Sequence, residues 1–293
     1  MAHVQSDAFL KWALPRMGLA WPGFRRVRRQ VVKRIGRRLA ELHLPGMDAY
    51  RSFLESHSAE WETLDSFCRI TISRFFRDAA AFDLLAREIL PRLAEVAIAR
   101  GQKFLRAWSA GCASGEEPYS LNLLWKSTLA PRFPKLALAI VATDADERVL
   151  ARAHTACYPA ASLRELPAGW RNAAFRCDGR LFCLKPEFRE GVEFFAQDLR
   201  REAPIGPFDL VLCRNLAFTY FDAAGQAQVL DRIGAVLSEG GALAIGRKER
   251  LPGGAKGFAP WIAERGVYRK AAVSSVPANA ASASRRMSSA RPV

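Results

Sequence analysis

The sequence has few of the residues and spacings that build metal sites or disulfide frameworks. Its six cysteines are widely separated without a CxxC pair, and its four histidines show neither HxxxH nor HExxH spacing. Zinc sites and small disulfide-stapled folds recur with characteristic spacings of these residues. We therefore expect no metal site, no disulfide framework, and reduced, mostly buried thiols. The cysteines are Cys68, Cys112, Cys157, Cys177, Cys183 and Cys213.

Long apolar runs are also absent. No stretch approaches the roughly 18 to 20 uncharged apolar residues of a membrane span, and the first residues lack the basic-then-apolar order of a signal peptide. The 293 residues are half hydrophobic and a quarter charged, which favours a globular core over chain-wide disorder. We expect a monomeric cytoplasmic protein that does not insert into membranes and has two domains, or one domain with an appendage.

Acidic residues are missing from the two most basic stretches. The chain has 44 basic and 29 acidic residues, a net charge of +15. Eight basic residues lie between Arg25 and Arg38 and four more from Lys270 to the end, with no acid in either segment. Because twelve of the fifteen net charges come from these segments, the rest of the chain is nearly neutral. The pattern predicts one localised acidic partner rather than a surface that coats nucleic acid.

The N-terminal part has the periodicity of short helices. Helical patterns cover residues 8–17, 24–43 and 47–56. The second helix carries an apolar residue at every fourth position, at Val27, Val31, Ile35 and Leu39. Its arginines and Lys33 occupy the other faces, which predicts a basic amphipathic helix docked by one side.

From residue 82 the pattern changes to short apolar runs separated by helical stretches. Strands are predicted at 104–109, 136–142, 192–196, 208–213 and 242–246, and helices at 80–99, 118–129, 147–154 and 223–237. Apolar strands separated by helices indicate a parallel sheet covered on both faces, in a doubly wound α/β fold. We expect an N-terminal helical domain at 1–78, an α/β domain at 79–270, and a disordered tail at 271–293 whose composition is Ala, Ser, Pro and Arg.

The first predicted strand leads into a turn of small residues, Gly111-Cys-Ala-Ser-Gly115, followed by Glu116 and Glu117 at the start of a helix. Small residues there let the backbone approach a ligand. The turn has no P-loop lysine to bind a pyrophosphate, and the two carboxylates would repel one. The same carboxylates would attract an ammonium or sulfonium group.

The next strand ends at Asp144, where such folds present an acid to ribose hydroxyls. Together the turn and this acid predict a nucleoside ligand with a positive group, and S-adenosylmethionine fits. Two alternatives remain open at this point. The glycine pair could form an ordinary tight turn, and Asp144 could cap the helix that follows.

Five segments resemble the CheR-type methyltransferases, which methylate glutamates of bacterial chemotaxis receptors. They are residues 70–78 (ITISRFFRD), 108–120 (WSAGCASGEEPYS), 142–144 (ATD), 208–215 (FDLVLCRN) and 220–222 (YFD). They occur in family order at family spacing, and the resemblance extends from about residue 9 to 270. It implies a small N-terminal all-α domain followed by a class I S-adenosylmethionine-dependent methyltransferase domain with a Rossmann-like doubly wound sheet.

The resemblance also implies roles for individual residues. Thr71, Ser73 and Arg77 would line the cofactor, Glu117 would face its methionyl part, and Asp144 would hold its ribose. Asp198 and Leu199 would bracket the adenine, and Arg214 with Asn215 would close the site. Catalytic roles fall to Arg77, which can pair with a carboxylate, and to Tyr220, whose aromatic face favours the sulfonium.

Three departures from the family pattern concern the same region. Thr71 stands where the family usually has asparagine. The segment between Asn215 and Tyr220 has one residue more than usual, so a local bulge is expected before Tyr220. The family's GHSE is replaced by Gly246-Arg247-Lys248-Glu249, which adds two positive charges near the site.

The expected reaction is methyl transfer to glutamate carboxylates of an acidic protein segment, with the helix from Arg25 to Arg38 as the docking surface. A carboxylate is already ionised at neutral pH, so no general base is required. One alternative is a methyltransferase for a small molecule or RNA on the same scaffold, and another is a cofactor-binding module without turnover. Nucleic acid could neutralise the basic helix, but no aromatic interleaving or RNA-binding signature favours it.

Overall fold

The computed structural model describes residues 2–167, 169–253, 255, 257–262 and 266–271. The disordered tail predicted at 271–293 lies, apart from Ala271, outside the described residues. Among these, no helix has both the length and the apolar composition that crossing a bilayer requires.

The N-terminal part is helical, as its periodicity predicts. Its helices are α1 (Ala2–Ala13), α2 (Trp21–Phe24), α3 (Arg28–Glu41), α4 (Met47–Ser56) and α5 (Glu60–Cys68), and a 3₁₀ turn (Leu14–Met17) follows α1. The helix predicted at 24–43 is observed as α3, which a turn connects to α2. Val31 and Ile35 are fully buried, with Val27 and Leu39 packed beside them, so the apolar stripe faces the core.

The α/β part contains a seven-stranded sheet. Its strands are β1 (Phe104–Ala110), β2 (Ala137–Asp144), β6 (Val192–Ala196), β7 (Phe208–Cys213), β8 (Leu237–Ile245), β9 (Phe258–Ile262) and β10 (Val267–Lys270), in the order β6-β2-β1-β7-β8-β10-β9. The first five are parallel. The chain enters the sheet at β1 in the middle and continues outwards through β2 to β6 at one edge. It then crosses to the other side of β1, where it forms β7 and β8. This is the doubly wound arrangement predicted from the sequence, and its switch point lies between β1 and β7.

Helices cover both faces of this sheet. They are α6 (Ala79–Leu84), α7 (Leu90–Ala99), α8 (Glu116–Leu124), α9 (Glu147–Thr155), α10 (Trp170–Ala174), α11 (Ala217–Tyr220) and α12 (Ala223–Val236). Single π turns, Leu85–Ile89 and Trp125–Leu129, extend α6 and α8. One face packs against α6 to α8. The opposite face shares a continuous core with the N-terminal helices, in which Trp108 and Phe208 are buried with Leu10 and Ile35.

Five strands, in two different parts of the fold, were not predicted from the sequence. Strands β9 and β10 extend the main sheet antiparallel to β8. A second, three-stranded antiparallel sheet of β3 (Cys157–Pro159), β4 (Phe175–Asp178) and β5 (Leu181–Leu184) lies between α9 and β6 in sequence. These strands have three to five residues, and in four of the five a proline or a charged residue interrupts the apolar run.

The small sheet corrects the expectation of reduced thiols. Cys157 on β3 lies directly opposite Cys183 on β5, and the two are joined by a disulfide. Directly opposed residues of antiparallel strands have adjacent side chains, whereas a separation of 26 residues in sequence gives no motif. The other four cysteines are free. Of these, Cys68, Cys112 and Cys213 are buried and Cys177 is exposed.

Candidate functional site

The turn between β1 and α8 lies at the carboxyl end of the sheet and is fixed to the neighbouring strand. The backbone amides of Gly111 and Cys112 both donate to the carbonyl of Thr143 on β2, at 2.8 and 3.0 Å. Gly111 has a φ of 74°, and a Cβ at this position would lie 2.3 Å from Cδ2 of Leu216. Glycine is favoured here because this φ lies in the left-handed region, where other residues are strained.

Asp144 ends β2 and connects this turn to the loop before α9. Its Oδ2 accepts from the Ala113 amide and its Oδ1 from the Asp146 amide, both at 2.9 Å. The cap of α9 is instead Asp146, which accepts from the Arg148 amide at 3.0 Å. Burial raises the pKa of Asp144, and the two amide hydrogen bonds act to lower it. Asp144 is therefore held rigidly and is free of the capping role left open by its sequence position.

Two adjoining cavities open where these elements meet. The first lies between α5 and the ends of β2, β6 and β7, and the second lies beneath residues 70–77. They share walls formed by Ile70, Gly111, Asp144 and Leu216. All ten residues singled out from the sequence line one or both cavities. Thr71, Asp144, Asp198, Leu199 and Tyr220 line the first, and Ser73, Arg77, Glu117, Asp144, Arg214 and Asn215 line the second.

A buried ion pair forms the floor of the second cavity. Arg214 Nη1 lies 3.1 Å from Glu117 Oε2, and Ser109 donates to the other carboxylate oxygen of Glu117 at 2.8 Å. Arg214 also donates to the carbonyl of Arg77 at 2.8 Å, and its guanidinium lies over the ring of Phe82. This network joins the ends of β1 and β7 to the segment that covers the cavity.

Glu116 and Glu117 face different environments, which corrects the expectation that both carboxylates favour the positive group of a ligand. Glu117 lines the second cavity. Glu116 is only 4% exposed, and its Oε2 is buried without a hydrogen-bond partner. Burial raises the pKa of Glu116, and the nearby hydroxyls of Ser73 and Ser162 act to lower it. Of the two carboxylates, only Glu117 therefore lines a cavity, and Glu116 is enclosed by the protein.

The covering segment at residues 70–78 is further fixed by its own backbone. The Phe76 amide donates to Ser120 Oγ at 2.9 Å, and the Phe75 amide donates to the carbonyl of Ser162. The Arg77 side chain folds back and donates to the carbonyl of Ile72 at 2.6 Å. Arg77 therefore lies along the cavity wall, with its guanidinium anchored by the segment itself.

Tyr220 ends the one-turn helix α11, which begins two residues after Asn215. Its ring centroid lies 5.0 Å from that of Phe24 on α2, so the N-terminal helices contribute to this wall. Burial raises the pKa of the Tyr220 hydroxyl, the Arg77 charge acts to lower it, and the Glu249 charge adds to the increase. The hydroxyl is accordingly protonated at neutral pH.

Glu249 was assigned no role from the sequence, although the GRKE segment contains it. Only 3% exposed, it accepts from the amides of Asn215 and Gly246 at 2.8 and 2.5 Å and from the hydroxyl of Thr219. Asn215 has a φ of 56°, a conformation that non-glycine residues rarely adopt. Glu249 thus fixes the turn between β7 and α11 that carries both Asn215 and Tyr220.

The cavity walls also hold polar groups that no other part of the described chain satisfies. Four buried side-chain atoms without a hydrogen-bond partner belong to residues lining the two cavities: Arg69 Nε, Arg74 Nε, Gln197 Oε1 and Arg214 Nε. Buried polar groups normally have partners. These four atoms are enclosed by the protein, whereas the carboxylates of Glu117 and Asp144 line the cavities and suit a polar ligand that carries a positive charge.

Comparisons with known proteins agree with this geometry. Residues 71–267 match the family model described as "CheR methyltransferase, SAM binding domain". A chemotaxis protein methyltransferase of Listeria innocua is 36% identical over 186 residues, which cover 64% of this chain and 68% of the relative. The Escherichia coli chemotaxis protein methyltransferase is 33% identical over 234 residues, covering 76% of this chain and 77% of that protein.

A solved N-methyltransferase, NodS from Bradyrhizobium japonicum in complex with S-adenosyl-L-homocysteine, is similar at 15% identity. The match covers 53% of this chain and 58% of the other, with a TM-score of 0.30. This value is too low to add to the argument.

Proposed function

The chain belongs to the CheR methyltransferase family, and on that premise we propose that it methylates glutamate carboxylates in an acidic segment of a chemotaxis receptor. It is an S-adenosylmethionine-dependent methyltransferase. The observation that carries the substrate proposal is a row of exposed cationic side chains that begins beside the wall of the cofactor cavity. The relatives named chemotaxis protein methyltransferase support the receptor as the source of the segment.

The row lies on the α2–α3 region and spaces its charges one helical turn apart. It consists of Arg25, Arg29, Lys33 and Arg37, all exposed. Among the described residues none of the four makes an ion pair. The row starts directly after Phe24, whose ring packs on Tyr220. An acidic helix lying along this cationic row would have one end at the cavity, because long-range attraction favours alignment of opposite charges.

Three other basic residues of α3 have partners within the chain. Arg28 lies 3.3 Å from Asp7, and Arg34 donates to the carbonyls of Phe67 and Arg69 at 2.7 and 2.8 Å. Arg38 pairs with Glu60. We therefore assign docking to the cationic row and structural roles to these three residues.

For the cofactor, we propose the following contacts. Asp144 accepts from the ribose hydroxyls, Asp198 accepts from the adenine amino group, and Leu199 packs on the adenine ring. Thr71 and Ser73 contribute hydroxyls from the covering segment, while Arg214 and Asn215 close the site. Glu117 faces the ammonium of the methionyl part, and Arg77 pairs with a carboxylate of cofactor or acceptor. Carboxylates and arginine provide the ionic acceptors and donors that such groups need.

S-adenosylmethionine supplies an electrophilic methyl group when bound. The residues of the chain then need only desolvate and align the acceptor carboxylate, because an ionised glutamate requires no proton acceptor. Of the described residues lining the two cavities, none is a histidine. Tyr220, which lines the first cavity, would offer an aromatic face and a neutral hydroxyl to the sulfonium.

The test is methyl transfer from tritium-labelled S-adenosylmethionine to receptor cytoplasmic fragments. We expect label that is released as volatile methanol by alkali, because glutamyl esters are base-labile. Asp144→Ala should abolish it, and Asp178→Ala, on the exposed edge of β4, should not. Label that resists alkali would overturn the carboxyl acceptor and favour a small molecule or RNA. Cofactor binding without transfer to any acceptor would favour a binding module.

The same proposal extends to organisation and location. We propose domain boundaries at 1–78 and 79–270, because residues 70–78 form the cover that joins the N-terminal helices to the sheet. We further propose a monomer that acts in the cytoplasm, where the methylated segments of such receptors would lie.

A further inference from the structure

A single arginine, Arg200, binds acids from both parts of the chain. Its Nη1 and Nη2 donate to Oδ1 and Oδ2 of Asp65 at 2.6 and 2.8 Å. Its Nη2 also donates to Oδ2 of Asp198 at 2.8 Å, and its Nε to the same carboxylate at 3.1 and 3.2 Å. Four of the five guanidinium hydrogens are thereby used in two adjacent forks.

The two acids come from elements far apart in sequence. Asp65 lies on α5 in the N-terminal part, and Asp198 follows β6 at the carboxyl end of the sheet. Both residues and Arg200 line the first cavity. The Asp65 fork can form only when α5 is docked on the sheet, so it depends on the relative position of the two parts.

A second contact ties the same helix to the next strand end. Arg69, which directly follows α5, donates through Nη1 to the carbonyl of Ala145 at 2.6 Å, and its Nη2 lies 3.4 Å from Asp65 on that helix. Ala145 directly follows Asp144. Helix α5 is thus connected to the ends of β2 and β6, which present the two acids assigned to the nucleoside.

The three charged side chains of this cluster are partly buried, so solvent screens their mutual attraction less than it would at the surface. The side chains of Arg200, Asp65 and Asp198 are 28%, 15% and 18% exposed. Burial alone would raise the pKa of Asp198, but the hydrogen bonds and charge of Arg200 outweigh it and hold that pKa below its usual value. Asp198 therefore stays an ionised acceptor. Partly buried, bidentate pairs are screened less than surface pairs.

We propose that Arg200 is a positioning residue that couples the docking of the N-terminal helices to cofactor affinity. Its Asp198 fork holds that acid towards the nucleoside, and its Asp65 fork makes this arrangement depend on α5. Coupling between two sites is reciprocal, so the bound cofactor should tighten α5 against the sheet. Because Arg34 joins α3 to the end of α5, the tightening should reach the helix that carries the cationic row. The inference concerns cofactor binding and does not depend on the acceptor.

The first experiment measures ligand affinity by calorimetry on the full chain. Asp65→Asn should raise the Kd of S-adenosylhomocysteine about tenfold and that of 5′-methylthioadenosine by the same factor, because the second ligand keeps the nucleoside and lacks the amino acid. The matched control is Glu62→Gln, which removes an exposed carboxylate one turn earlier on α5 and should change either Kd less than twofold.

A double-mutant cycle separates coupling from general loss of stability. Arg200→Met should weaken both ligands, and Asp65→Asn added to it should weaken them no further, because the pair is already broken. Arg201→Met, at the exposed neighbouring position, is the control. Arg200→Lys, which keeps the charge and loses the double fork, provides the same measurement if Arg200→Met does not fold, and should weaken both ligands as well.

Hydrogen exchange tests the reciprocal effect. S-adenosylhomocysteine at saturation should slow exchange of the α5 amides in the wild type by a larger factor than in Asp65→Asn. Unchanged affinity in Asp65→Asn would overturn the proposal. The proposal would also be overturned if Asp65→Asn weakened the binding of S-adenosylhomocysteine but not that of 5′-methylthioadenosine. The same holds if the effects of Asp65→Asn and Arg200→Met on the Kd were additive in the double mutant. Because none of these readouts involves methyl transfer, their failure is distinguishable from failure of the proposed function.

Discussion

Arg38 and Glu60 form a two-point ion pair beneath the basic helix, with Nε to Oε1 at 3.0 Å and Nη2 to Oε2 at 2.8 Å. Tyr50 donates its hydroxyl to the same carboxylate at 2.8 Å. Glu60 is only 6% exposed, so this arginine is part of the packing of α3 on α4 and α5. The basic helix therefore has a structural side and an exposed side that can be tested separately.

Reversing charge on the exposed side should affect docking alone. A triple variant carries Arg29→Glu, Lys33→Glu and Arg37→Glu. Its KM for a receptor fragment should be at least tenfold higher than that of the wild type and should depend much less on salt concentration. Attraction between exposed charges is screened over about 8 to 10 Å at physiological salt. The kcat and the cofactor Kd should stay within about threefold, because these side chains act equally in ground and transition states. Steady-state kinetics at varied salt measure both.

The control for this triple variant is reversal of Arg92, Lys103 and Lys135, which are exposed on α7 and near the amino ends of β1 and β2. It changes the net charge equally but lies away from the cavities and should leave KM within about twofold. If KM changes equally in both triple variants, the effect comes from net charge. If KM changes in neither, the cationic row is a solvated surface without a docking role.

Breaking the pair on the structural side should cost stability in a pH-dependent way. The hydrogen bonds from Arg38 hold the pKa of Glu60 below its usual value. A carboxyl with a depressed folded pKa contributes stability above its unfolded pKa, near 4.5, and loses this contribution as pH falls through the folded value. Glu60→Gln should lower the free energy of unfolding by about 2 to 3 kcal/mol at pH 7, and by less as the pH falls below about 4.5.

Urea denaturation across pH 3 to 8 measures this difference. The matched control is Glu55→Gln, which removes an exposed pair with Arg51 and should cost no more than about 0.5 kcal/mol. A constant difference between Glu60→Gln and the wild type at every pH would show that the carboxylate charge is not the source of stability.

Glu249→Gln should impair the acceptor side of the site more than the cofactor side. The carboxylate accepts three hydrogen bonds, and an amide in its place puts an NH₂ group against backbone donors. We expect a loss of about 2 to 3 kcal/mol in the free energy of unfolding. The kcat should fall at least tenfold because Tyr220 moves with α11, whereas S-adenosylhomocysteine affinity should change less than threefold. Glu95→Gln, exposed on α7, is the control, and equal losses of kcat and affinity would contradict the assignment.

Thiol titration tests the cysteine arrangement. Native protein purified without reductant should react quickly at one thiol, the exposed Cys177, and unfolded protein at four. Burial raises the pKa of Cys68 to about 12 and that of Cys112 well above its usual value, so neither forms a reactive thiolate in the fold. Cys177→Ser should remove the fast reaction. Six reactive thiols in unfolded protein without reductant would restore the expectation of a fully reduced chain.

The predictable parts of the fold are those that repeat along the chain. Strand β7 has the predicted bounds because all its residues are buried and five of the six are apolar, the exception being Asp209. Similarly, Gly111, Glu117 and Asp144 follow strands at positions that doubly wound sheets use for ligands. Asp65 and Arg200 could not be paired in this way, because 135 residues separate them and neither belongs to a local pattern. The disulfide was missed because 26 residues separate its cysteines, and the role of Glu249 because its partners Asn215 and Thr219 lie 34 and 30 residues away.

The core shared by the N-terminal helices and the sheet has a consequence for how this enzyme can be divided. The family model starts at residue 71, yet the side chains of Trp108 and Phe208 inside it are buried together with Leu10 and Ile35. A fragment cut at residue 71 would expose this apolar face to water and would be prone to self-association. The methyltransferase domain therefore cannot be separated from the N-terminal helices. A chimera designed to change receptor specificity must keep those side chains of the first 70 residues that pack on the sheet, and must alter only the exposed, charged face.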